Sequence, residues 1–130
     1  MEARIGRATA QTRRQARFAG RRAELLAALY LRLKGYRILA RRYSVRGGEI
    51  DLIAQRGVAI AFIEVKYRPT LAEAMIAIDA WKHRRVSRAA RHWLVAHPWA
   101  ARLTLRGDAV YLAPRHWPRH RKAAMPLDFD

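Results

Sequence analysis

Three carboxylates and an ammonium group crowd into one short stretch of this chain: Glu49, Asp51 and Glu64, followed two residues later by Lys66. They lie within G-G-E-I-D-L-I-A-Q-R-G-V-A-I-A-F-I-E-V-K-Y-R, residues 47–68, where two apolar runs rich in β-branched residues are parted by Gly57. Such runs predict a β-hairpin. Strand side chains alternate faces, so Glu49 and Asp51 point one way together, and Glu64 and Lys66 do the same. A tight turn at Gly57 and Val58 sets Asp51 opposite Glu64 and Glu49 opposite Lys66. Like charges directly opposite destabilise a strand pair. A divalent cation between them reverses the sign, and oxygen ligands from one or two carboxylates plus phosphate oxygens suit magnesium.

The chemistry this allows is hydrolysis of a phosphodiester. Asp51 and Glu64 are the candidate ligands for Mg2+ or Mn2+, with the Val65 carbonyl completing the shell. Lys66 is placed to orient the attacking water or to offset charge in the transition state, and Glu49 to tether Lys66 from behind. The plainer alternative is a strand-end ion pair of Glu64 with Lys66, and Asp51 as a turn residue. An exposed pair contributes only about 0 to 1 kcal/mol, a weak reason to set acids among apolar runs.

Charge points to the same class of partner. The 130 residues carry 27 Lys plus Arg against 10 Asp plus Glu, a formal net charge of +17. Such a field draws polyanions, favouring nucleic acid over a small neutral substrate, although an anionic membrane surface would also answer to it. The absence of cysteine excludes disulfides and thiolate metal sites. No 18-residue apolar run and no apolar leader core occurs, so neither a membrane span nor a secretory signal is expected, and the expected location is the cytoplasm. The five histidines show no zinc spacing on a helix.

The elements that must hold the site follow from periodicity. Residues 1–19 read as a basic, loosely helical arm, and residues 20–130 as one domain. Leu25, Leu26, Leu29 and Leu33 recur at helical spacing up to the Lys34-Gly35 stop, and Ala27, Ala28 and Leu31 make most of the remaining surface apolar, so this helix is expected to be largely buried. Glu24 stands alone among alanines and leucines there. On an outer face it merely favours the helix N-terminus; on an inner one it needs a cation. Residues 36–45 give a first strand whose Arg41 and Arg42 fit an exposed edge. In the hairpin, Ile50 and Leu52 are assigned to one face, and Ile53, Ile60 and Phe62 to the other. Two apolar faces must both be covered, which predicts an α/β layered architecture. Thr70 caps a short segment over 71–78, and Asp79 caps a helix over 80–96. That helix buries Val86, Ala89, Ala90, Trp93 and Leu94, and turns Lys82, Arg84, Arg85, Arg88 and Arg91 outward, a face for polyanion contact. Residues 103–113 form a late strand, and the tail an irregular covering segment or short helix.

G-G-E-I-D-L-I-A followed by F-I-E-V-K-Y-R resembles the YraN-like family and, more broadly, the PD-(D/E)XK restriction-endonuclease-like superfamily that includes Holliday junction resolvases. The family's first-helix pattern falls on Gly20, Glu24, Ala27, Leu31, Gly35 and Tyr36, its post-strand lysine on Lys82, and its late strand on Arg106, Gly107, Asp108 and Ala109. The resemblance implies a central mixed β-sheet flanked by α-helices in a single endonuclease-like domain. It implies Glu24 as an active-site acid, Asp51 and Glu64 as metal ligands and Lys66 as the catalytic lysine. Ala23 and Gly107 depart from the pattern, which usually has a glycine and an aromatic there. The expectation is a Mg2+- or Mn2+-dependent endonuclease acting on DNA, with a homodimer as one option. Arg41, Arg42, Lys82, Arg85 and Arg88 are the expected nucleic-acid contacts. The alternatives are a non-catalytic nucleic-acid-binding module that retains the fold, and a basic RNA-binding factor.

Overall fold

A computed structural model describes residues 2–77 and 80–129. The elements run α1 (Glu2–Leu33), β1 (Arg37–Val45), β2 (Gly48–Arg56), β3 (Ala59–Tyr67), α2 (Leu71–Met75), α3 (Ala80–Ala96), a 3-10 turn (Pro98–Arg102), β4 (Thr104–Leu112) and β5 (Arg119–Met125). One five-stranded sheet holds them in the order β1-β2-β3-β4-β5. The first three strands form an antiparallel meander, β4 lies parallel to β3, and β5 returns antiparallel to β4. This is the mixed sheet flanked by helices that the motifs imply.

Both sheet faces are apolar, so both are covered. On one, Ala23, Ala27, Ala28 and Leu31 of α1 pack with Leu52, Ala54, Ala61, Ile63, Val110 and Leu112. On the other, Val86, Ala89, Ala90 and Trp93 of α3 pack with Ile50, Ile53, Ile60, Phe62 and Met125. Small residues dominate the inner stripe of α1, which lets the helix lie close to the sheet. Its leucines Leu25, Leu26, Leu29 and Leu33 face outward instead. Gly48 does the equivalent service for α3: a Cβ there would stand 2.6 Å from the Arg85 carbonyl oxygen. The helix thereby presses on the start of β2, bringing its first turns over Glu49.

The hairpin has the expected register, with Leu52 opposite Ile63 and Arg56 opposite Ala59 across the turn at Gly57. Several expectations need correction. The face assignment of Ile50 is wrong: it lies with Ile53 in the α3 core, not with Leu52. The physical reason lies on the edge strand. Arg42 falls between the pairs Arg41–Leu52 and Tyr43–Ile50 and takes a left-handed φ of 51°. Alternation therefore breaks at Arg42 and at Asp51 across from it. Tyr43 and Ile50 turn to α3, while Arg41 and Leu52 stay on the α1 side.

The tail is also not an irregular cover. It supplies β5, which pairs with β4 through a register shift between Gly107 and Ala109. Gly107 replaces the family's aromatic because the returning chain leaves no room: a Cβ would meet the Met125 carbonyl oxygen at 2.7 Å. The basic arm and the first helix are one continuous helix from Glu2 to Leu33. Thr70 caps α2, its hydroxyl accepting from the Glu73 amide at 3.2 Å. The cap assigned to Asp79 lies outside the described residues. No helix among the described residues is long and apolar enough to cross a membrane.

Candidate active site

The backbone ladder between β2 and β3 ends at Leu52–Ile63, one residue short of Asp51 and Glu64. There the Asp51 side chain takes the place of a strand partner, its Oδ2 accepting from the Val65 amide at 2.7 Å. Where the strands part, the sheet no longer separates its two faces, and side chains from α1 and α3 meet. A cavity of about 400 Å³ opens at this point, lined by Ala19, Gly20, Ala23, Glu24, Asp51, Glu64, Val65, Lys66 and Lys82 among others. Glu24 therefore faces inward, towards Asp51, Glu64 and Lys66.

Within the cavity each charge has an uneven set of partners. The Glu64 side chain is only 3% exposed; its Oε1 meets Lys66 Nζ at 3.2 Å and Lys82 Nζ at 3.4 Å. Its Oε2 is buried with no hydrogen-bond partner. A buried carboxylate oxygen without a donor is costly, on the order of 1–3 kcal/mol or more. Asp51 is held in a field that disfavours its charge. Burial, then the neighbouring Glu64 and to a lesser degree Glu24, push its pKa up to about 7 against the pull of the Val65 amide. Burial works against the Lys82 ammonium, but Glu64, Glu49 and Asp51 outweigh it and hold its pKa above the usual lysine value.

The carboxylates share the cavity without forming a compact triad. Among the described residues, no three His, Asp or Glu side chains are grouped to hold one ion. Arg42 Nε holds Glu24 Oε2 at 2.6 Å on one side, and the two lysines hold Glu64 on the other. Asp51 and Glu64 are thus the pair suited to a hard divalent cation: they are oxygen donors, mutually repelling, with one oxygen unpartnered.

Residues 23–112 match the model of the uncharacterised protein family UPF0102. The chain belongs to this family. A UPF0102 protein from Methylobacterium nodulans is 59% identical over 119 residues, covering 92% of each chain. One from Methylocella silvestris is 58% identical over 120 residues, 92% of this chain and 97% of its own. A third, from Bradyrhizobium diazoefficiens, is 51% identical over 102 residues, 78% and 77% of the two chains. The matched segment begins one residue before Glu24 and ends with β4, so it contains Glu24, Asp51, Glu64, Lys66 and Lys82.

In this UPF0102 protein three expected placements, those of Glu49, Lys82 and Arg42, are changed. Glu49 does not tether Lys66; it pairs with Lys82 at 3.4 Å and Arg85 at 3.9 Å on α3. Glu49 lies beyond the last β2–β3 ladder pair, Leu52–Ile63, where the sheet is open and its side chain can reach the first turns of α3. Lys82, expected on the outer surface of α3, turns into the cavity because Gly48 lets the helix sit close. Arg42 is not a simple edge cation either, since it pairs with Glu24. Its left-handed backbone costs on the order of 1–3 kcal/mol for a residue with a Cβ. Arg41 and Arg88 are exposed as expected, and Arg88 lies flat on Gly47, where a Cβ would meet its Nη1 at 2.7 Å.

A second buried acid went unassigned from the sequence. Asp108 accepts from Arg106 at 3.2 and 3.0 Å, from the Ala123 amide at 3.0 Å, and pairs with His120 Nε2 at 2.7 Å. His120 Nδ1 in turn lies 2.7 Å from Lys34 Nζ, and Arg106 reaches the Tyr36 hydroxyl at 2.8 Å. Burial alone would raise the pKa of Asp108, but these bonds outweigh it and hold it below the usual aspartate value. The signals in the sequence were an acid inside an apolar strand and its place in the late-strand pattern; Arg106 is two residues away, but the other partners, His120 and the Ala123 amide, come from the tail, distant along the chain.

Proposed function

We propose that this protein binds nucleic acid, DNA foremost, and that its carboxylate cavity hydrolyses a phosphodiester with the help of a divalent cation, Mg2+ or Mn2+. The observation that carries this reading is the buried Glu64 Oε2 without a donor, beside an Asp51 whose pKa is pushed up to about 7. Both are relieved by one oxygen-seeking cation, so the residues present fit the group. Asp51 and Glu64 would hold it, with the Val65 carbonyl as a further donor. When bound, the ion supplies a Lewis acid that acidifies a water and offsets charge on the phosphoryl oxygens.

The chain's own residues supply the rest. The Val65 amide fixes the Asp51 carboxylate, so its free oxygen keeps a defined direction. Lys66, anchored on Glu64 and largely buried, presents an ammonium where charge gathers in the transition state. Lys82 adds a second positive charge against the same wall. The +17 balance draws the polyanion in, with Arg85 and Arg88 on α3 and Arg41 on β1 as backbone contacts.

The test is cleavage of branched and linear DNA with added Mg2+ or Mn2+. Wild type is expected to cut, and the Asp51→Ala, Lys66→Ala double variant to lose cutting by at least two orders of magnitude. Equal cleavage by both removes the assignment. A second reading, a binding module without catalysis, is favoured by one observation: Glu64 Oε1 already has two lysine partners. It predicts salt-sensitive DNA binding that does not change as Mg2+ is titrated. Preference for RNA over DNA in the same titration would instead mark an RNA-binding factor.

A further inference from the structure

The Glu24 carboxylate forms the wall between two cavities. On its far side from Asp51 lies a space of about 480 Å³ lined by Arg21, Glu24, Leu25, Arg41 and Arg42. Among the described residues Arg21 and Arg41 have no ion-pair or hydrogen-bond partner, so two uncompensated guanidinium groups face one opening. Arg42 is the third. Its backbone sits at a φ of 51°, a conformation that residues with a Cβ rarely adopt, and that kink keeps Arg41 and Arg42 together on the α1 side. The Arg42 side chain is 46% exposed, whereas Glu24 is 17% exposed, so the cation of this pair can leave and the anion cannot.

We infer that this arginine cavity is a phosphate subsite, taking a nucleic-acid backbone phosphate next to the one in the carboxylate cavity, and that Arg42 is shared between that phosphate and Glu24. The inference rests on the proposed function for its ligand. With no nucleic acid bound, Arg42 neutralises Glu24 and opposes a second cation nearby. A phosphate entering between Arg21 and Arg41 offers the guanidinium a paired, planar contact of the kind arginine makes best. Arg42 turns to it, and Glu24 is left as a bare carboxylate facing Asp51 and Glu64. The cavity then gains negative charge only when the polyanion is in place, so cation binding is favoured at that moment. Arg42 is a positioning residue here; it acts through Glu24.

The experiment measures binding, not cleavage. In EDTA, affinity for a short DNA duplex is followed by fluorescence anisotropy for wild type, Arg42→Gln, Glu24→Gln and the charge control Glu73→Gln. Arg42→Gln is expected to weaken binding about 5-fold or more, and Glu24→Gln to tighten it beyond what Glu73→Gln does, because the freed Arg42 goes to phosphate. Without DNA, Mn2+ affinity read by electron paramagnetic resonance is expected to rise several-fold in Arg42→Gln. A salt bridge with only a structural role moves both variants in the same direction and leaves Mn2+ affinity alone; that result overturns the inference. If Mn2+ binds wild type and Asp51→Asn equally, the metal reading itself fails, a separate outcome. Should Arg42→Gln fail to fold, the opposite sign expected of Glu24→Gln still decides the matter.

Discussion

Two aspartates on one sheet, Asp108 buried and Asp51 half-buried, stand in opposite conditions. Asp108 on β4 is saturated, with four donor contacts shared between its oxygens, and its pKa is held low. Asp51, two strands away on β2, has one backbone amide and an acidic neighbour, and its pKa is pushed up to about 7. Burial opposes the charge in both, so burial does not distinguish them. Partners do. The saturated acid ties Arg106 and His120, and through them Tyr36 and Lys34 at the end of α1, to the sheet: it is a structural knot. The starved acid stands where strand pairing stops and a cavity opens. Strongly perturbed groups of that second kind gather at functional sites.

The contrast can be broken first at its structural end. Asp108→Ala leaves Arg106 and His120 without their buried anion and is expected to destabilise the fold by about 3–5 kcal/mol, read by urea denaturation. Mn2+ affinity of the folded fraction is expected to stay as in wild type; a loss would mean that the two regions are one. At the other end, Mg2+ at a hundredfold excess over its dissociation constant is expected to raise stability by about 2.7 kcal/mol in wild type. Glu64→Gln should abolish that gain in calorimetry, and its persistence would place the ion elsewhere.

A third comparison uses pH. The folded-state pKa of Asp51 lies above its unfolded value, so the native protein binds more protons between about pH 4 and pH 7, and stability falls as pH rises through that window. Asp51→Asn keeps an acceptor for the Val65 amide and removes the charge. It is expected to be more stable than wild type by about 1–3 kcal/mol at pH 8, with the gain fading towards pH 4. A variant less stable than wild type at pH 8 would show that the acid is not starved. Asp108 carries the opposite sign: its stabilisation is complete at neutral pH and is lost as pH falls through its low folded pKa. The smallest effect is expected on the outer surface. Arg88→Ala should lower the salt dependence of DNA binding by about one phosphate contact, with little sequence preference.

Much of this was written in local pattern. Alternation, glycines and β-branched runs placed β1, β2 and β3 within a residue or two, and the turn at Gly57 set the hairpin register. The 3.6-residue stripe Val86, Ala89, Ala90 and Trp93 placed α3 from Ala80 to Ala96. Acids among apolar residues marked Glu24, Asp51 and Glu64, because a charge in such surroundings needs a reason. The strand at Arg119–Met125 was hidden, since its basic residues carry no apolar alternation and its pairing is dictated by β4.

The sequence by itself determined the hairpin, the two covering helices, the family and the acids with their lysine, because these rest on spacing along the chain and on residue type. Only the tertiary structure decided the pairing of those charges: Glu49 with Lys82, Glu24 with Arg42, Asp108 with His120. The first two pairs depend on the absent side chain of Gly48 and on a left-handed backbone at Arg42, the third on the irregular pairing of β5 beside Gly107, and no period in the sequence records any of them.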